Sequence, residues 1–302
     1  MKKGFTIIIA IMFMLISTVY AENSHSFSIE CPNGAPALAV CALKENVKLV
    51  DASMIAASFA KEEADFIIAP INAGAKLFKA GKSTYRLAAV VTWGNLVFAS
   101  QITDFSAETI KNHDIILFGE NTINASVALF VLEKMDITPS SVSYLASAQE
   151  TQKKLVEDAN VIVVTAEPAA TAAKLMNEAV NTVSLSELYY SVTGDEGFAQ
   201  AGLFVRTKTL EEHPEQVVLW LQEIKASADR CIENPAEVAK DAVELGIMAK
   251  ETIVMKAIGG CGIHYVTAKE AKDQIERTVA IDPVQYGGEV PEDNFYYYGI
   301  EE

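Results

Sequence analysis

The sequence predicts an α/β protein of two lobes, each a parallel or mixed sheet flanked by helices, with a cleft between them. Three observations carry that expectation. Short apolar runs alternate with helical patterns through the first two thirds of the chain, as parallel βαβ units require. The same alternation runs once over residues 27–100 and starts again near residue 104. Beyond residue 205 the pattern becomes almost entirely helical.

Taken in order, residues 27–31 read as a first strand, followed by the turn Pro32-Asn33-Gly34-Ala35-Pro36 and a helix of small residues to about Lys44. Residues 47–50 give a strand and 52–60 a helix. Residues 65–69 (DFIIA) are a buried strand, and Pro70-Ile71-Asn72-Ala73-Gly74 turns into a helix ending near Gly81. Residues 85–91 and 96–100 are strands separated by Thr92-Trp93-Gly94-Asn95. In the second run, residues 114–118 form a strand, the turn Gly119-Glu120-Asn121-Thr122 is rich in capping residues, and a helix covers 125–135. Strands follow at 142–145 and 161–164. Between them Ser147 and Glu150 have the spacing of a capping box. Glu167-Pro168 opens a helix at 169–177, with proline suited to a first turn. One more strand, 202–205, precedes helices at 214–232, 235–245, 251–258 and 268–279, the last opened by a Thr267–Glu270 capping box. The expected division is a first lobe of residues 22–101 and 203–302, interrupted by a second lobe of 102–202, with crossings near 99–104 and 200–202 as hinges.

Lys2 and Lys3, the uncharged apolar run 6–18 and Val19-Tyr20-Ala21 read as a secretory signal peptide cleaved after Ala21. The run is shorter than the roughly 20 residues that span a bilayer, which disfavours a retained anchor. No cysteine follows the cleavage point, so no lipidated terminus is expected, and the periplasm is the expected destination. The formal net charge is −16. An excess of acid this large opposes nucleic acid or anionic membrane as partners and favours solubility.

Cys31, Cys41, Cys231 and Cys261 have no metal-ligand spacing, and His25, His113, His213 and His264 are scattered singly, so no metal site is expected. Export permits disulfides, and four cysteines allow three pairings. Cys231 also falls on the apolar stripe of Val217, Leu221, Ile224 and Ala228, where a buried thiol is the common outcome.

In open α/β sheets a ligand sits beyond the carboxyl ends of the strands, where helices begin. The candidate ligand-binding residues at those ends are Gly34, Ala35, Asn72, Trp93, Gly94, Asn95, Gly119, Glu120, Asn121, Thr122 and Glu167. Gly34 permits close backbone approach, Asn72 can cap a helix, Trp93 offers a flat face, and Asn95 can donate and accept. Free N–H groups at helix starts favour polar or anionic groups. Each residue also has an ordinary reading as a turn, cap, core or helix-dipole residue. The functional reading rests on their falling at one end of their strands.

Residues 32–39 (PNGAPALA), 64–76 (ADFIIAPINAGAK), 85–95 (YRLAAVVTWGN) and 161–170 (VIVVTAEPAA) resemble the type II periplasmic solute-binding proteins. The branch they resemble most serves nitrate, sulfonate, taurine and thiamine-precursor importers. Phe204-Val205-Arg206, His213-Pro214-Glu215 and Asn234-Pro235-Ala236-Glu237 are similar to its C-terminal half. The resemblance implies a monomer that captures a small polar or heterocyclic solute and delivers it to an ABC permease with its ATPase, without cofactor or catalytic residues. It places Gly34, Asn72, Trp93 and Thr122 against the solute. Those loops hold no arginine, which argues against a full anion. Glu120 and Glu167 could instead receive a cationic or amine-bearing heterocycle stacked on Trp93. A ligand-sensing module would share the clamp and differ in its partner. Enzymes on this fold work in the cytoplasm, against the leader, and the chain has no Gly-x-Ser-x-Gly or His-Glu-x-x-His.

Overall fold

The structure, a computed structural model, describes residues 26–299. The leader and its cleavage point after Ala21 lie outside the described residues. The chain runs β1 (Ile29–Pro32), β2 (Val47–Val50), β3 (Phe66–Pro70) and β4 (Arg86–Thr92) in one sheet. It continues through β5 (Leu96–Ser100), β6 (Asp114–Phe118), β7 (Ser141–Leu145), β8 (Ile162–Ala166) and β9 (Asn181–Ser184) in a second, and returns to the first with β10 (Ala201–Val205) and β11 (Ile263–Thr267). The strand orders are β11-β4-β10-β3-β1-β2 and β7-β6-β8-β5-β9. Both sheets are mixed: β10 lies antiparallel between β3 and β4, and β5 antiparallel between β8 and β9. In each sheet the strand after a crossing runs antiparallel to its neighbours; in the first sheet β11 also runs antiparallel to β4.

The helices are α1 (Ala35–Leu38), α2 (Ile55–Lys61), α3 (Ile71–Lys79), α4 (Ile123–Lys134), α5 (Ala148–Glu157), α6 (Ala169–Met176), α7 (Leu185–Thr193), α8 (Thr207–Glu212), α9 (Pro214–Glu233), α10 (Pro235–Glu244), α11 (Glu251–Ala257) and α12 (Ala268–Ile281). The capping box at Thr267–Glu270 forms and opens α12. At α5, Ser147 accepts from the Glu150 N–H, but the Glu150 carboxylate turns to the Ala146 N–H.

The crossings differ from the expected ones. Strand β5 was expected in the first lobe, yet it pairs along its length with β8 and β9, so the chain leaves the first sheet at Trp93–Asn95 and not near residues 99–104. It returns between α7 and β10, just before the expected 200–202. The C-terminal part is also less purely helical than its composition suggests. Strand β11, with Ile263 and Tyr265 buried and His264 exposed, adds an edge to the first sheet.

The central strands read as unbroken apolar runs because both sheet faces are covered. Ile67, Leu87 and Phe204 pack on one face of the first sheet, while Ile68, Ala88 and Leu203 pack on the other. Gly74 on α3 makes room for the Phe204 ring, since a Cβ there would lie 2.4 Å from its Cζ. Phe59, Tyr85 and Phe295 extend the aromatic cluster with ring centroids 5.1 to 6.0 Å apart.

The base of the first lobe is tied by one polar cluster. Arg206 Nη2 meets Asp65 Oδ1 at 2.9 Å, with side-chain exposures of only 19% and 16%. Arg206 also donates to the Glu62 carbonyl, and Asp65 Oδ2 accepts from both N–H and Oγ of Ser28. Removing one partner strands a mostly buried charge, which costs more than the pair itself contributes. Arg206→Ala should lower unfolding free energy in a denaturant titration by about 2–3 kcal/mol, below the fully buried range because of residual exposure. A loss under about 0.5 kcal/mol would show the cluster to be an ordinary surface pair.

Candidate functional site

A cavity of about 1030 Å³ opens between the lobes. Its first-lobe wall comes from the α9–α10 junction, α11, the loop at Gly259–Gly262, β11 and α12, including Ile232, Met255, His264, Glu270 and Gln274. Its second-lobe wall comes from β5, Glu167, β9 and α7, including Thr182, Ser184, Ser186 and Glu187. Trp93, Gly94, Glu196 and Gly197, from the two crossings, close its base.

The base exists because three stretches of main chain meet with almost no side chain between them. Trp93 N–H donates to the Gly262 carbonyl at 2.8 Å. A Cβ on Gly197 would stand 2.3 Å from the Trp93 carbonyl oxygen, and one on Gly262, whose φ is +60°, 2.8 Å from that of Gly94. Gln274 Nε2 donates to the Gly197 carbonyl at 2.6 Å, and Ser186 Oγ to that of Gly94 at 2.9 Å. Helix α12 of the first lobe and α7 of the second therefore both grip the crossings.

Asn95 and Gln200 join the crossings to the strand ends. Asn95 N–H donates to Gln200 Oε1, while Gln200 Nε2 donates to Asn124 Oδ1 and Ile71 N–H to the Gln200 carbonyl. Asn95 also clamps the start of α6: Glu167 N–H donates to its carbonyl at 2.8 Å, and its Nδ2 donates to the Glu167 carbonyl at 2.9 Å. The peptide bond between Glu167 and Pro168 is cis.

Glu167 thus has both of its expected attributes. Its Oε2 accepts the Thr171 N–H at 3.0 Å, serving the helix start, and its side chain lines the cavity. Gly260 faces it, with space for a Cβ only 3.1 Å from Glu167 Cγ. Burial raises its carboxyl pKa, and the bond to Thr171 opposes that rise only in part.

The structure brings Trp93, Gly94 and Glu167 together around the cavity. Trp93 is half-buried, and its Nε1 donates to the His264 carbonyl at 2.8 Å, which fixes the indole. Asn95 is buried behind them. Gly34, Ala35, Asn72, Gly119, Glu120, Asn121 and Thr122 are absent from the lining. The reason lies in strand order. The cavity follows the β4/β11 and β5/β9 edges, whereas those turns belong to β1, β3 and β6, beyond β10 and β8. Within that second group the expected caps do not form. Pro70, not Asn72, occupies the cap of α3, and Thr122 turns its hydroxyl to the Gly119 carbonyl at 2.6 Å. Glu120 and Asn121 are exposed.

Sequence reasoning missed Thr182, Ser184, Ser186, Glu187, Glu196, Glu270 and the loop Gly259–Gly262. β9, α7 and β11 escaped detection, whereas Glu270 lies on the expected helix α12, where the sequence marks it only as half of the capping box. The alternation Ile-His-Tyr-Val in β11 was the available signal; the short polar run of β9 offered none.

The four cysteines are free and buried. Burial pushes the thiols of Cys41 and Cys231 up to about 12, so they are inert packing groups at neutral pH. Among the described residues no group of three or more His, Cys, Asp or Glu could hold a metal ion, and no helix is long and apolar enough to cross a membrane.

Two mixed α/β sheets joined by a double crossing around a cleft define a two-lobed fold of the periplasmic-binding-protein type. Solved structures share it. An ABC transporter protein from Parabacteroides distasonis superposes with a TM-score of 0.78 at 22% identity, over 90% of this chain and 98% of that one. The periplasmic aliphatic sulphonate-binding protein SsuA of Escherichia coli gives 0.69 at 9% identity, covering 91% and 93%. The nitrate-binding protein NrtA of Synechocystis PCC 6803 gives 0.61 at 10%, covering 89% and 83%. No family model matches the sequence, and no curated protein matches it.

Two variants test this geometry. Gly197→Ala should force the crossings apart and cost about 1–3 kcal/mol in thermal or chemical unfolding. Gly259→Ala, where nothing lies within 4 Å of the added Cβ, should stay within about 0.5 kcal/mol of the parent. Equal effects would mean the crossings are not tightly packed. Glu167→Gln tests the buried carboxyl. A pKa raised by folding means the folded state holds the proton more tightly, so this group's contribution falls as pH rises above the ordinary value of 4.5. Glutamine keeps an acceptor for Thr171 and removes the charge. The variant should melt at or above the parent temperature at neutral pH, with the difference vanishing well below pH 4.5. A lower melting temperature at neutral pH would contradict this.

Proposed function

We propose that this chain is the extracytoplasmic solute-binding subunit of an ABC importer, which traps a small polar or heterocyclic molecule between its lobes. The observation that carries the reading is the cavity, whose walls come from both lobes and whose base is their double crossing. A solute there touches both lobes at once, so closing the hinge adds contacts that neither lobe offers alone. The likeness to a solved ABC transporter protein and to periplasmic sulphonate- and nitrate-binding proteins supports the same role. On this reading the leader is removed after Ala21 and the mature protein works in the periplasm. As a monomer it presents its loaded, closed form to a permease coupled to an ATPase. It changes no covalent bond: the task is capture and release, set by how far the solute favours the closed form.

A thermal-shift screen of the mature protein against sulfonates, amines, thiamine precursors, flavins and nitrate tests the proposal. A bound solute should raise stability by about 2.7 kcal/mol at a hundredfold excess over its dissociation constant. Small-angle scattering with that solute should show a smaller radius of gyration. Saturating binding with an unchanged scattering profile would rule out the clamp.

A further inference from the structure

The charge on the cavity wall is one-sided. Glu167, Glu187, Glu196 and Glu270 line it, and no lysine or arginine does among the described residues. His264 is the sole basic side chain there, and its carbonyl already holds the Trp93 indole. None of the four carboxylates is in a salt bridge among the described residues, although thirteen such bridges occur elsewhere on the molecule.

The placement of these carboxylates matters as much as their number. Four helices start at the wall; three have a lining glutamate at that start, and the fourth, α10, begins at Pro235 and carries Glu237, paired with Arg230, in its first turn. Glu167 Oε2 accepts the Thr171 N–H of α6, Glu187 lies in the first turn of α7, and Glu270 closes the capping box of α12. The positive ends that would otherwise draw a sulfonate, nitrate or phosphate are already matched by the chain's own anions. An anionic solute entering here would lose hydration and meet negative charge. A cation would find carboxylate oxygens, one of them half-buried where screening by water is weak.

The rest of the wall suits an apolar body. Trp93 is held in one orientation at the base, and Ile232, Met255 and Ile258 form an apolar flank. Gly260 puts bare main chain beside the Glu167 carboxylate, and Gly259 and Gly262 line the cavity next to it.

We propose that the cavity takes an organic cation, an ammonium or similar positive group carried on a flat apolar body, with Glu167 as its deep counter-charge and Trp93 as its platform. This rests on the solute-binding reading and narrows it to a substrate class. Carboxylate pairing and a cation over an indole face both reward the positive group and neither rewards a neutral isostere.

Three probes that share a phenyl ring and differ in charge test the proposal: benzylamine, benzyl alcohol and benzenesulfonate, each titrated at neutral pH by calorimetry and by melting temperature. Benzylamine should bind at least about tenfold more tightly than benzyl alcohol, and benzenesulfonate should not bind at about 10 mM. Benzylamine affinity should fall about tenfold or more in Glu167→Gln and in Trp93→Phe, while both variants keep the parent's circular dichroism spectrum. Equal binding of all three probes, preferred binding of benzenesulfonate, or no binding of benzylamine at about 10 mM would overturn the proposal. Failure here is separable from failure of the importer reading. If an anion or neutral solute from the wider screen binds and compacts the protein, the importer reading stands and only the cation is lost.

Discussion

The structure depends on a contact between main chains. Two crossings, at Trp93–Asn95 and just before β10, are the covalent links between the two sheets, and one apolar cluster, with Leu87 and Phe204 from the first sheet and Phe98, Ile115 and Val164 from the second, runs through both lobes. They lie within van der Waals reach of each other and of the loop before β11 because Gly94, Gly197 and Gly262 present no Cβ to the contact. Gln200 then ties the crossings to Asn124 in one lobe and to the start of α3 in the other.

Helix α12 gives that junction its stiffness. It belongs to the first lobe, but Gln274 holds the Gly197 carbonyl, Thr278 accepts the Ala199 N–H, and Arg277 makes a bidentate pair with Asp195, both bonds at 2.9 Å. Just past its end, Asp282 accepts from Ser126 Oγ on α4 of the second lobe at 2.6 Å. One helix therefore spans the returning crossing and reaches the opposite lobe. The same helix contributes Glu270 and Gln274 to the cavity wall. On the proposed function, this one helix would connect solute contact to the position of the crossings.

Much of the fold was legible because buried strands in a covered sheet carry an unmistakable apolar signature. Residues 65–69, 85–91 and 202–205 were all found within a residue or so. What the sequence could not say was which sheet a strand joins. β4 and β5 look alike and are separated by three residues, the spacing of a hairpin, yet Gly94, at a φ of +82°, sends the chain into the other sheet. The candidate site was half legible for a related reason. Strand ends were sought as ligand turns, but strand order, set by long-range pairing, divides them into two groups on either side of the crossings. Trp93, Gly94 and Glu167 fall with the cavity; Gly34, Asn72 and Thr122 do not. Among the missed wall residues, Thr182 and Ser184 sit on the polar edge strand β9, where the apolar signature is weakest, while Ser186 and Glu187 open α7 and Glu196 lies in the returning crossing.

The central claim is that a solute occupies the cavity at the crossings, and the chain carries its own reporter for that place. It has two tryptophans. Trp93 lines the cavity with its Nε1–H on the His264 carbonyl, whereas Trp220 packs against Phe27 and Phe66 in the first lobe. Indole N–H resonances of nitrogen-15 labelled protein, assigned with Trp220→Phe, give one signal for each. Titration with any solute that stabilises the protein should shift the Trp93 signal and leave the Trp220 signal in place. A shift confined to Trp220, or no shift in either signal at saturation, would contradict the account.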